Sequence, residues 1–152
     1  DLKKYDIFIL NPWDQFLIKN VDLFINTRSM MEMNYDTIKK YFKLIQSKLS
    51  KQGYFLNINR YYKDTTGYPI EYHKYPYDNK WKVIFSKTSW KQPYVHAMLT
   101  QRVKNDLNEI NNEMHKIKKT MKNVTKKDPR MFRRFLHPDF YKLYKYIKNI
   151  FI

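Results

Sequence analysis

The chain has 152 residues, long enough for one domain with a hydrophobic core, and it has no cysteine, which excludes disulfides, thiolate metal sites and cysteine nucleophiles and suits a reducing compartment. Thirty Lys and Arg stand against 14 Asp and Glu, and the surplus of +16 favours phosphates or anionic lipid surfaces unless the lysines simply cover solvated faces. Only two glycines occur, Gly53 and Gly67, so no glycine-rich phosphate loop is present, and no stretch is long and apolar enough to span a bilayer.

Ile7 to Leu10 is a short apolar run closed by Asn11-Pro12, as in a buried strand of a parallel sheet. It lies almost against Asp1, which points to a processed or truncated chain. Pro12 to Gln15 reads as a loop. Val21 to Ile25 is a second strand, ended by Asn26-Thr27. Asn34 or Asp36 can cap a helix running to about Ser50, with Ile38, Tyr41, Phe42, Ile45 and Leu49 on one apolar face. Lys51-Gln52-Gly53 is expected to stop this helix, with Gly53 in a left-handed cap. Tyr54 to Asn59 is then a third strand.

Strand, loop, strand, helix, turn and strand in this order is the grammar of an α/β sheet. Residues 60–80 are aromatic and broken by Gly67, Pro69 and Pro76, as in an irregular insertion. Trp81 to Trp90 and His96 to Val103 are two further extended runs that can pair antiparallel. From Val103 the pattern changes. Val103, Leu107, Ile110, Met114, Ile117, Met121 and Val124 form a heptad seam that could pack on its own domain or pair with a second copy of the chain. Pro129 ends that helix. A last amphipathic helix is expected from Asp139 to about Ile152, with Phe140, Leu143, Tyr144, Ile147 and Phe151 opposite Lys142, Lys145 and Lys148. Residues 104–152 hold half of the chain's positive surplus.

The run Val21 to Met33, Val-Asp-Leu-Phe-Ile-Asn-Thr-Arg-Ser-Met-Met-Glu-Met, with the pair Tyr41-Phe42 and the aromatic strand Tyr54 to Asn59, resembles a family of sugar O-methyltransferases. These are class I enzymes that use S-adenosylmethionine. The run Lys87 to Trp90 and His96 to Arg102 is similar to the family's terminal hairpin, so the resemblance covers about residues 5–103. It implies a Rossmann-like α/β sheet, incomplete because the N-terminal strands are missing. Residues 1–103 would be the C-terminal part of that domain and 104–152 a basic helical extension. The family's glycine-rich donor turn and its ribose-binding acid would both precede Asp1. The chain would then carry half a donor site and be inactive without the rest.

The resemblance implies that Trp13 stacks on adenine and Asp14 bonds its amine, against core packing for Trp13 and a loop Asx turn for Asp14. Asn26 and Ser29 lie just past the end of a central strand, where α/β sheets bind ligands, and would join Trp13 and Asp14 at the donor. Glu32 is a candidate base or ligand-orienting carboxylate, or else a partner of the helix dipole. His96 is a second candidate base and His73 a weaker one; each is by default a surface histidine. Met30, Met31 and Met33 read as core. Arg60, Tyr61, Tyr62 and Trp90 are candidate contacts of the acceptor, since aromatic faces carry sugar rings and Arg pairs with acidic groups. Tyr68, Tyr72, Tyr75, Tyr77 and Trp81 more simply glue the insertion to the sheet. No spacing matches a metal box.

The leading expectation is therefore a methyltransferase part acting on a sugar hydroxyl in bacterial surface polysaccharide synthesis. It would work in the cytoplasm, with the last helix able to rest on the inner membrane face. The rival is a basic, aromatic module that grips nucleic acid or another polyanion. The lysines are spread along the chain and no nucleic-acid motif is visible, which counts against the rival. A scaffold that dimerises through the 103–124 seam is the third reading.

Overall fold

A computed structural model describes residues 20–64, 69–104, 106 and 108–127. The expected strand at Ile7 to Leu10, the loop with Trp13 and Asp14, and the helix from Asp139 lie outside the described residues. So do Gly67, Tyr68, Leu107 and Pro129.

The described chain is an α/β fold with a mixed four-stranded sheet followed by a helix. Strand β1 is Val21–Thr27, helix α1 Tyr35–Lys48, β2 Leu49–Arg60, β3 Tyr62–Lys63, β4 Ile70–Glu71, β5 Trp81–Thr88, β6 Val95–Arg102 and α2 Glu109–Lys127. The main sheet has the order β1-β2-β6-β5, and β3 and β4 form a two-stranded ribbon apart from it. β1 and β2 run parallel across the α1 crossover, with Phe24 opposite Phe55 and Asn26 opposite Asn57. β6 runs antiparallel to both β2 and β5, so β1, β2 and β5 point one way. The expected hairpin of β5 and β6 is present, and its returning strand is the one that pairs with β2.

α1 begins where Asn34 places its side-chain oxygen 2.8 Å from the Thr37 amide, so Asn34 rather than Asp36 is the cap. Ile38, Phe42 and Ile45 are buried and Tyr41 packs beside them, as the spacing predicts; Leu49 also packs on this cluster, but from the first position of β2 rather than from the helix. The helix stop differs from expectation. α1 ends at Lys48, Leu49 is already extended, and Gly53 lies inside β2 rather than in a left-handed cap. The reason is a register shift: Val21 pairs with Leu49 but Leu23 pairs with Tyr54, so β2 bulges between them. A Cβ on Gly53 would sit 2.8 Å from Leu49 Cδ2 and 2.9 Å from the Val21 carbonyl oxygen. Close backbone approach, not backbone handedness, calls for glycine there.

The core lies on one face of the sheet. Phe42, Phe55, Tyr75, Tyr77 and Trp81 meet there mostly edge to face, with centroids 4.7–6.1 Å apart. Tyr61, Ile70 and Tyr72 from the insertion are buried in the same cluster, so its aromatics do hold it to the sheet. α2 closes this core with Ile110, Ile117 and Met121. It starts at Glu109, not Val103; the Val103 amide instead extends the sheet by donating to the Lys80 carbonyl at 3.0 Å. The seam's buried positions thus face the chain's own sheet. The opposite sheet face leaves Leu23, Ile25, Tyr54 and Phe85 exposed among the described residues. No helix among the described residues is long and apolar enough to cross a membrane.

Candidate functional site

The carboxyl ends of β1, β2 and β5 and the start of β6 gather polar side chains around one edge of the sheet. Alternation along β2 puts Asn57 and Asn59 on the core face with Phe55, and both are fully buried. A buried amide must find partners or cost free energy. Here the amides serve one another. Asn59 Nδ2 donates to Asn26 Oδ1 at 2.8 Å and also to Asn57 Oδ1. Asn57 Nδ2 donates to the Tyr77 hydroxyl at 3.2 Å, and Asn26 Nδ2 donates to Ser29 Oγ. A string of three amides therefore runs from the aromatic core to the loop after β1. Asn59 Oδ1 is buried and has no hydrogen-bond partner among the described residues.

The loop after β1 is set by Arg28, whose φ of 61° is left-handed. Its amide still donates to the Ile58 carbonyl at 2.7 Å, so the chain leaves β1 late and turns sharply. Such a backbone costs a non-glycine residue about 1 kcal/mol or more and tends to persist at functional sites. The turn delivers Ser29 and the short 3-10 turn Met30–Glu32. Met30 and Met31 are buried, which agrees with their reading as core. Glu32 closes that turn two residues before Asn34, the cap of α1. Its carboxylate is ion-paired with Lys63, whose side chain is largely buried.

His96 is buried, not on the surface, and lies between two hydroxyls. The Tyr61 hydroxyl is 2.9 Å from Nδ1 and Ser86 Oγ is 2.8 Å from Nε2, and Tyr61 also meets Thr88 Oγ1 at 2.7 Å. Burial pulls the imidazole down to about 4, with Glu113 opposing, so the ring is neutral near pH 7. Burial likewise raises the Tyr61 hydroxyl above its ordinary value. With both nitrogens engaged, His96 fixes the Tyr61 and Ser86 hydroxyls and does not itself face solvent. Burial also lowers the His73 imidazole below its ordinary value, against the pull of nearby Glu71.

Of the candidate acceptor contacts, Tyr61 is buried and Tyr62 packs partly against the core. Arg60 and Trp90 differ. The Arg60 guanidinium lies over the Tyr94 ring, and Trp90 is 88% exposed on the loop between β5 and β6. The structure brings Asn26, Ser29, Glu32, Arg60 and His96 to one edge of the sheet; Trp13 and Asp14 are outside the described residues. Asn57, Asn59, Lys63, Arg28 and Gln92 join them without being singled out from the sequence. The alternation of Asn57 and Asn59 within an apolar strand was the available signal. No group of three His, Asp or Glu able to hold a metal occurs among the described residues. Comparison with protein-family models, with curated proteins and with solved structures finds no match.

Proposed function

We propose that this chain is the C-terminal part of an S-adenosylmethionine-dependent O-methyltransferase with a Rossmann-like sheet, acting on a sugar hydroxyl in bacterial surface polysaccharide synthesis. The cytoplasm, beside the inner membrane face, is the proposed location. The observation that carries the reading is the amide string Asn57–Asn59–Asn26, ending on Ser29, at the carboxyl ends of two adjacent parallel strands. Open α/β sheets bind their ligands at this edge. The parallel β1-α1-β2 unit and the hairpin of β5 and β6 agree with the arrangement that the resemblance implies.

The half-buried Asn26 and exposed Ser29 side chains, at the outer end of the amide string, fit hydrogen bonding to a polar donor molecule. They supply part of its site, with Trp13 and Asp14 as further candidates. S-adenosylmethionine, when bound, brings a methyl group already activated for displacement. The protein has to align the acceptor hydroxyl and accept its proton. Glu32 is the carboxylate at this edge with an accessible side chain, and Lys63 fixes its position. It is the proposed proton acceptor. His96, enclosed and neutral, is the positioning residue that orients Tyr61 and Ser86.

The reading is tested on the whole gene product. The frame upstream of Asp1 should encode a strand followed by Gly-x-Gly and an acid about twenty residues on. The whole protein should then bind S-adenosylmethionine in calorimetry, and Asn26→Ala should weaken binding. A whole protein without such a unit, or one that does not bind the donor, sinks the reading.

A further inference from the structure

The same edge carries cations that the amide string does not use. Arg28 Nη2 donates to Gln92 Oε1 at 2.8 Å. The Arg60 guanidinium carbon lies 5.3 Å from the Tyr94 ring centroid, and its Nε is buried without a hydrogen-bond partner among the described residues. Gln92 and Tyr94 are two residues apart, a backbone span of at most about 7 Å. One loop therefore gathers both arginines. Neither is ion-paired with a carboxylate among the described residues. The same loop holds the exposed Trp90, with Lys91 Nζ 4.8 Å from its ring centroid.

Two guanidinium groups held by neutral partners form a receptor for a carboxylate or phosphate, which arginine meets with paired donors. An exposed indole face is a platform for the apolar face of a sugar ring. We propose that Arg28, Arg60 and Trp90 form an acceptor subsite for a sugar that carries an anionic group. The guanidinium pair holds the charge and the ring lies on Trp90. This rests on the methyltransferase reading and narrows its acceptor to an acidic class. A uronic carboxylate and a sugar phosphate share the required chemistry.

The test titrates the whole gene product with glucuronate, glucose 6-phosphate, glucose and inorganic phosphate. The readout is the Trp90 indole signal in proton–nitrogen correlation spectra, with buried Trp81 as the internal reference. Glucuronate or glucose 6-phosphate should move the Trp90 signal; whichever does identifies the anionic group. Arg60→Gln should weaken that response at least tenfold. So should Arg28→Asn, which keeps a residue tolerant of the left-handed backbone. Trp90→Ala, at an exposed position, loses that reporter and is read by calorimetry: binding should weaken, with the Trp81 indole signal unchanged. An equal response to glucose overturns the acidic class, and an equal response to inorganic phosphate overturns the sugar. No response to any probe overturns the subsite. Donor binding by the whole protein is read separately. Its failure beside intact acidic-sugar binding removes methyl transfer and leaves this site standing.

Discussion

Replacing His96 by Gln should remove most of one acid-sensitive component of the protein's stability. In the unfolded chain an imidazole takes its proton near pH 6.5; in the folded chain His96 takes it only near 4, because burial disfavours the charged ring. The folded pKa is depressed, so the unfolded state binds more protons between these values. Stability from this group is complete above pH 6.5 and falls as pH drops toward 4. Linkage over that window gives a loss of about 2 kcal/mol between pH 7.5 and pH 5 and about 3 kcal/mol at the acid limit. Urea unfolding at the two pH values measures it. The parent should lose about 2 kcal/mol more than His96→Gln, whose carboxylates titrate alike. A direct check is the His96 ring signal by NMR, which should not titrate above about pH 5. A ring titrating near 6.5, or equal acid sensitivity of the two proteins, would refute the argument that both imidazole nitrogens are enclosed.

Asn34→Ala removes the acceptor for the Thr37 amide and should cost about 1 kcal/mol in urea unfolding; a loss within error would show that the cap is dispensable. Gly53→Ala should cost about 1–3 kcal/mol, since the new methyl meets Leu49 and a β1 carbonyl oxygen at under 3 Å. A neutral or stabilising result would mean that the bulge in β2 can open. Ile117→Ala should lower stability by about 2–5 kcal/mol in a manner independent of protein concentration, because Ile117 is 2% exposed within its own chain. A concentration-dependent midpoint would favour a seam closed between two copies.

Local pattern carried the elements that depend on near neighbours. The apolar period of α1, the capping residue and the extended hairpin runs were legible because side-chain spacing alone sets them. The stop at Gly53 was misread because the close approach of Val21 is a contact between distant residues, and a glycine before a strand looks like a helix cap. The start of α2 was misread for a similar reason: Val103 continues the apolar register of the helix but is held by the Lys80 carbonyl. At the site, Asn26, Ser29 and Glu32 were legible as residues following a strand. Lys63 and Gln92 were not, since the partners that define them, Glu32 and Arg28, are brought near only by folding. His96 looked like a surface histidine because nothing local announces that Tyr61 and Ser86 will close around it.

The inserted position of β6 also sets a timetable for folding during synthesis. β6 lies between β2 and β5 yet is made after both. Until it emerges, β5 has no partner in the main sheet and β2 is paired on one side only. Tyr54 and Gln101, which face each other across β2 and β6, are 47 residues apart. At a synthesis rate of roughly 5–20 residues per second, that separation leaves β2 open on its second side for several seconds. A nascent chain paused before Val95 would leave both edges of β5 and one edge of β2 open at once, and chaperone demand should peak there rather than at the helices.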